Sequence, residues 1–153
     1  MKPFRSITKL NPAWWRRFGE RLADKIRVHT HINALDVDDR PFRKLSAKYA
    51  ARKAAGGSRF TAQKPIANLK LTGDLQKDLQ HIKSGRNFTL IGWPSDSEKL
   101  AGLQKRGRVV TTRKKPVSGF IERWIQREID RETNRNVRKT DGKKIHHLKA
   151  RGL

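Results

Sequence analysis

Two amphipathic stripes, one near each end of the chain, most constrain its fold. In both, large apolar residues recur three or four positions apart, which is the spacing of one face of an α-helix. The first stripe follows Asn11-Pro12, a capping side chain and a proline at the first helical position, and predicts a helix of about four turns. We expect both helices to pack on one small sheet. The stripes are Trp14, Phe18, Leu22 and Ile26, and Ile121, Trp124, Ile125 and Ile129.

The sequence between the stripes predicts the sheet. Alternating or β-branched residues indicate strands at 28–32, 79–83, 88–92 and 108–112, with a hairpin turn at 84–87. The fold class that follows is α+β: a small antiparallel sheet packed by an N-terminal and a C-terminal amphipathic helix, with extended arms.

Capping residues and glycines predict two shorter helices. Ser46 precedes a helical segment that ends at Gly56, and Ser95 or Ser97 precedes another that ends at Gly107. The stretch from Gly57 to Pro65, after the first of these helices, is expected to be a mobile loop.

The length of 153 residues is the usual size of one domain. We expect an N-terminal arm at 1–10, a single α+β domain at 11–134 and a basic C-terminal arm at 135–153. The last segment has seven basic residues, one acidic residue and few apolar ones, so we expect it to be disordered alone and ordered against a neighbour.

The charge of the chain predicts a polyanionic or acidic partner. Lys and Arg total 37 against 14 Asp and Glu, a formal net charge of +23, and such a charge repels itself in a compact monomer unless a partner neutralises it. The candidate contacts to a polyanion or partner are Arg59, Lys64, Arg106, Arg108, Arg113, Lys114, Lys115, Arg138, Lys139, Lys143 and Lys144.

Three apolar residues are candidates for subunit contact. Trp15 lies beside the first stripe, so it packs either in the chain's own core or at an interface, where tryptophan is favoured. Ile145 and Leu148 are spaced in the basic arm like anchors for a neighbour's groove.

Catalytic chemistry has no recognisable carrier in the sequence. There is no cysteine, no phosphate-binding glycine loop, no nucleophile elbow and no zinc-protease helix motif. His146-His147 among basic residues suggests a nuclease end, but the arm offers only Asp141 to complete a metal site. We therefore expect a protein that is not an enzyme and uses no cofactor. The sequence contains no run of about 18 apolar residues, so we expect no membrane span. The N-terminus lacks the apolar core of a secretion signal, so we expect no secretion signal there.

Two further groups of polar residues could suggest a metal. His29 and His31 share one face of the strand expected at 28–32, but nothing nearby completes a ligand set. Asp36, Asp38 and Asp39 resemble an acidic calcium loop without its glycine and its closing glutamate, which favours a solvated turn.

Four short motifs occur in a fixed order. They are Asp-x-Asp-Asp-Arg-Pro-Phe-x-x-Leu-Ser-x-x-Tyr-x-x-x-Lys from Asp36 to Lys53, Leu-x-Leu-Thr-Gly-Asp-Leu from Leu69 to Leu75, Ile-Gly-Trp from Ile91, and Ala-Gly-Leu-Gln-x-x-Gly from Ala101. In this order they resemble the virion-morphogenesis and tail-completion proteins of the neck of tailed bacteriophages, over about residues 10 to 130.

The resemblance implies an α+β subunit that joins a homo-oligomeric ring between the head and the tail, around the channel through which DNA passes. The implied partners are portal or adaptor proteins, tail-tube or tail-terminator proteins, and DNA bound without sequence preference; no membrane is implied. The implied location is the virion neck, after assembly in the host cytoplasm. The alternative is a basic nucleic-acid-binding module such as a ribosomal protein, for which this charge is ordinary.

Overall fold

A computed structural model of the chain describes residues 10–69 and 74–150, and of residues 140–150 it describes only the helical backbone. Five α-helices, one π-helix and one hairpin make up the regular structure of these residues. In chain order they are α1 (Pro12–Arg27), α2 (Ala47–Ala55), α3 (Asp74–Asp78), β1 (Gln80–Ser84), β2 (Thr89–Gly92), α4 (Ser97–Lys105) and α5 (Gly119–Ala150), and a π-helix, Val28–Ile32, follows α1 directly.

The start of α1 is as the sequence predicts. The Asn11 side chain accepts a hydrogen bond from the Ala13 N–H at 2.8 Å, and Pro12 occupies the first helical position, where its missing N–H costs nothing. Leu10 and Trp15 hold the two positions of a hydrophobic staple, and both belong to the main core cluster.

A two-stranded antiparallel sheet lies against α1. The predicted hairpin is confirmed: β1 pairs with β2, and the Gly85 N–H donates to the Phe88 carbonyl across the turn at 3.0 Å. The register shifts between His81 and Lys83, which leaves Ile82 as a bulge. Gly19 allows α1 to approach the hairpin closely, since a Cβ there would overlap the side chain of Thr89. The α+β class is therefore confirmed, with a sheet of two strands in the described residues.

The main core joins both amphipathic stripes. The ring of Phe18 stacks between Trp14, at a centroid distance of 4.8 Å, and Trp124, at 5.6 Å. Ile121 is fully buried beside them. Arg21 lies over the Trp124 ring and pairs at 2.8 Å with the buried carboxylate of Glu128, which also pairs with Arg131. The first and last helices thus share one core, but only α1 packs broadly on the hairpin, whereas α5 packs mainly against α1.

The strand expected at 28–32 is wrong, because these residues continue α1 as a π-helix. A strand would place the two histidines on the face opposite Val28 and Ile32. The π-helix also separates the two pairs: His29 and His31 are buried, and Val28 and Ile32 are exposed. The hydroxyl of Thr30 donates to the Ile26 carbonyl four residues earlier at 2.8 Å, a local bond that the helical path of the backbone brings within reach.

The strand expected at 108–112 is also absent from the described residues. A single hydrogen bond, from the Val37 N–H to the Val109 carbonyl at 2.9 Å, ties this segment to the 36–40 turn. Val110 instead packs with Phe42 and Ala67 in a second, smaller core cluster. β-branched residues here fill a core position without a neighbouring strand to pair with.

The boundary expected after Asn134 does not coincide with a helix end, because α5 runs without interruption to Ala150. Pairs one turn apart, such as Glu132 with Arg135 at 3.5 Å, support this polar helix locally. The expectation that this segment is disordered alone and ordered against a neighbour stays a prediction, as does the division into domain and arm. Within the described part of the chain, no helix is long and apolar enough to cross a membrane.

Candidate anion-binding groove

A groove of about 660 Å³ lies between α2, the C-terminal end of α4 and the two connecting segments 43–46 and 66–69. All of its charged lining residues are basic, and the others are polar or apolar. The basic residues are Arg43, Lys44, Lys53, Arg106 and Arg108; the uncharged ones are Leu45, Ser46, Tyr49, Ile66, Ala67, Leu69 and Leu103.

Helix α2 forms one wall, and its ends are set as the sequence predicts. The Ser46 hydroxyl accepts from the Tyr49 N–H at 3.4 Å, and Gly56, with φ of 78°, follows the helix. Tyr49 and Lys53 are four residues apart and so lie on the same face, which is the face toward the groove.

Lys53 fixes the opposite wall and is only 2% exposed. Its ammonium donates to the Ile66 carbonyl at 2.8 Å and to the Asn68 side-chain oxygen at 2.6 Å. The carbonyl of Asn68 also accepts from Nδ1 of His31, at 3.1 Å. These bonds connect α2 and the π-helix to the loop that carries the exposed aliphatic side chain of Ile66.

The end of α4 positions two of the predicted contacts, Arg106 and Arg108. The Arg108 N–H donates to the Leu103 carbonyl at 3.0 Å, and Gly107, with φ of 73°, makes the turn between the two arginines. The Nε atom of Arg108 is buried and has no hydrogen-bond partner among the residues that the structure describes. A buried donor of this kind is costly to leave unpaired.

The start of α4 differs from the sequence expectation of a serine cap. Asp96 is the residue before the helix and makes no side-chain capping bond. The carboxylate of Asp78 instead accepts from the backbone N–H groups of Ser95 and Asp96, at 3.0 and 2.9 Å. The cap therefore comes from α3, seventeen or more positions earlier, which no local pattern reveals.

The acidic turn at 36–39 is structural. Oδ1 of Asp36 accepts from the Asp38 and Arg40 N–H groups at 2.8 and 2.9 Å. Asp39 has a positive φ of 61°, and its carboxylate accepts from the Phe120 N–H at 3.1 Å, at the start of α5. Burial opposes ionisation of Asp39, yet hydrogen bonds from the Ser118 hydroxyl and from Phe120 outweigh it and hold its pKa below the ordinary value. The expected turn is present and in addition caps the last helix.

The other predicted contacts are spread over the surface. Arg59, Lys64, Arg113 and Lys114 are exposed in loops, and Arg138 and Lys139 are exposed on α5. Lys115 pairs with Asp38 at 2.8 Å, and this ion pair holds the pKa of Asp38 below its usual range. The side chains of Lys143, Lys144, Ile145 and Leu148 lie outside the described residues.

Trp15, the third interface candidate, is 8% exposed and packs edge-on against Trp14 and Phe18. It is a core residue, and the interface assignment is corrected because its own chain covers the indole. The two histidines once considered as a metal pair each hydrogen-bond a carbonyl: His29 that of Asp36 at 3.0 Å, and His31 that of Asn68. No group of three or more metal-binding side chains occurs in the described residues.

Comparison with known proteins gives no relative. No protein-family model matches the chain, and neither does any curated protein or solved structure. The groove therefore has to be interpreted from its own residues. Sequence reasoning missed Arg43, Lys44 and Lys53 as members of one site, since the basic residues that complete the groove, Arg106 and Arg108, follow more than fifty positions later.

Proposed function

We propose that this chain is a structural subunit of the neck of a tailed bacteriophage, where copies of it form a ring that joins the head to the tail around the DNA channel. The observation that carries the proposal is the order of the four motifs between Asp36 and Gly107. It belongs in the virion, after assembly in the host cytoplasm, and acts without a cofactor and without catalysis.

The roles of the motif residues support the proposal. Motif residues hold turns and caps of the fold: Asp36 closes the turn whose Asp39 caps α5, Ser46 caps α2, and Gly107 makes the turn after α4. The indole N–H of Trp93, in the third motif, donates to the Leu75 carbonyl in the second at 3.0 Å. Residues that fix turns, caps and contacts between segments specify one fold, and proteins of one family share such residues in the same order.

The charge supports a role next to acidic proteins and DNA. Pairing every acidic side chain with one base would still leave 23 positive charges. Ring contacts are made between different faces of identical subunits, and a cationic ring around a channel attracts phosphates without reading their sequence. Portal or adaptor proteins on one side and tail-tube or tail-terminator proteins on the other are the proposed protein partners.

A gene deletion in the phage genome that encodes the chain tests this function. We expect filled heads and separate tails in electron micrographs of the lysate, with joined particles restored when the protein is supplied from a plasmid. Normal particles made without the gene would contradict the proposal. Co-sedimentation of the protein with ribosomes would instead favour the nucleic-acid-binding module, which the same excess of charge suits.

A DNA-binding assay gives a second, simpler test. We expect the purified protein to bind duplex DNA weakly at physiological salt and equally for unrelated sequences, because phosphate attraction alone carries no sequence information. Strong preference for one sequence or for one structured RNA would again favour the alternative.

A further inference from the structure

The groove beside α2 has two chemistries in one site. Five of its twelve lining residues are basic, and the remainder include a group of aliphatic side chains. Tyr49 and Ile66, which line the groove, are 36% and 42% exposed, so both offer apolar surface beside the basic residues. A matching ligand must therefore offer anionic oxygens and apolar groups together.

We propose that this groove binds a short acidic segment of a partner protein, with carboxylates toward the basic residues and apolar side chains on the aliphatic ones. This deepens the proposed function and rests on it only for the identity of the partner as another virion protein. The volume of about 660 Å³ lies in the range of sites that enclose a ligand of limited size, so only a few residues of the segment would be held.

Arg108 is the polar centre of the proposed site. It is half-buried and lines the groove, and a carboxylate there would pair with its guanidinium through two parallel hydrogen bonds. Arg43, Lys44 and Arg106 are exposed and lie around the groove, where they attract the acidic segment before it docks. Lys53 is already bonded to the loop at 66–68 and acts as a positioning residue for that wall.

The lining argues for a protein segment rather than nucleic acid. Proteins that bind single strands stack several bases on aromatic side chains, and Tyr49 is the one aromatic residue of this groove. Duplex DNA would contact the basic rim through its phosphates and leave Ile66 and the leucines exposed. Apolar side chains from an acidic protein segment would cover them, and burial of that surface favours binding.

The test uses the purified full chain and three fluorescent probes of equal charge: a short peptide of glutamate and leucine, one of glutamate and serine, and an oligothymidylate. We expect the glutamate–leucine peptide to bind about tenfold or more tightly than the glutamate–serine peptide, because only the former covers the aliphatic residues. Arg108→Gln should weaken its binding by about tenfold or more, since charge-assisted hydrogen bonds are lost.

Two matched pairs of variants separate the groove from the general charge. Arg43→Gln with Lys44→Gln should weaken peptide binding clearly more than Arg138→Gln with Lys139→Gln, although both pairs remove two exposed charges. These four side chains are on the surface, so this comparison remains decisive even if Arg108→Gln unfolds. Ile66→Ser should weaken binding of the glutamate–leucine peptide and leave the glutamate–serine peptide unchanged.

Equal affinities for the two peptides, or equal losses in the two double variants, would overturn the proposal. It would also be overturned if oligothymidylate bound most tightly and lost most affinity in the groove variants. These measurements need no phage particles. The groove can therefore fail to bind the acidic peptide while the gene deletion still prevents joining of heads and tails, and the peptide can bind while the deletion has no effect.

Discussion

Replacement of Gly19 by alanine tests how closely α1 lies on the hairpin. A Cβ at this position would overlap Thr89 Oγ1 and come within 2.6 Å of His81 Cδ2, well inside the contact distance of about 3.5–4.0 Å. Neither neighbour is free to turn away. Nε2 of His81 is 2.6 Å from the Ser84 hydroxyl, which in turn donates to Thr89 Oγ1 at 3.5 Å.

The expected loss of stability is the difference of two opposing effects. Forcing an extra methyl group into this contact costs about 3 kcal/mol, the upper part of the range for overpacking. Alanine is favoured over glycine inside a helix by about 1 kcal/mol, so Gly19→Ala should lower the free energy of unfolding by about 2 kcal/mol.

Gly102, in α4, provides the matched control, because a Cβ there would meet nothing within 4 Å. We expect Gly102→Ala to raise the free energy of unfolding by up to about 1 kcal/mol through helix propensity alone. Urea denaturation followed by circular dichroism measures both variants, and combining Gly19→Ala with Thr89→Ala should recover part of the loss. A Gly19→Ala protein that is stabilised like Gly102→Ala would refute the close contact of α1 with the hairpin.

Other substitutions test the core, the buried charge, the helix cap and the boundary of the domain. Phe18→Ala should cost about 3–5 kcal/mol in urea denaturation and Trp124→Ala less, because Trp124 is only half-buried; a Phe18→Ala protein as stable as the parent would contradict the core. Glu128→Gln should cost about 1–3 kcal/mol in the same assay, as hydrogen bonds to two guanidinium groups are weakened, and no loss would show that this buried carboxylate is dispensable. The pKa of Asp39 is lower in the folded than in the unfolded protein, so its contribution to the free energy of unfolding is present above the ordinary pKa of 3.8 and is lost as the pH falls through the folded pKa. Asparagine tolerates the positive φ at this position, so Asp39→Asn should lose less stability than the parent on acidification. Parallel pH profiles of the free energy of unfolding for the two proteins would contradict the cap. Truncation after Asn134 should leave the thermal unfolding transition in place while heads and tails fail to join, and normal infectivity of the truncated protein would show that the arm is not needed.

Local signals were sufficient for the parts of the fold that are stabilised locally. The cap at Asn11, the cap at Ser46 and the hairpin turn all depend on residues within a few positions of each other. A strand is the wrong prediction for segment 28–32. Its β-branched residues suit a strand, but the segment follows α1 directly and continues its buried face as a π-helix. Segment 108–112 has strand-like residues, but Val110 packs in the second core cluster and the segment does not pair with the hairpin.

The candidate site was harder to predict than the fold because its residues are distant in sequence. Arg106 and Arg108 were identified from charge, but charge alone gave equal weight to Arg59 and Arg113, which the structure leaves in exposed loops. Nothing local indicates that Lys53 is buried, since its burial depends on carbonyl and amide oxygens more than ten positions away. Only the assembled loops create the groove.

The stacking of Phe18 against Trp124 has a consequence for the protein while it is being made. The partners of the first stripe come from the hairpin and from α5, so the last of them is synthesised more than a hundred residues after Phe18. At a synthesis rate of about 5–20 residues per second, the apolar face of α1 stays exposed for roughly 5–20 s before α5 can pack on it. During that interval the nascent chain exposes adjacent aromatic rings, and we expect its yield in cells to depend on chaperones more than its small size suggests.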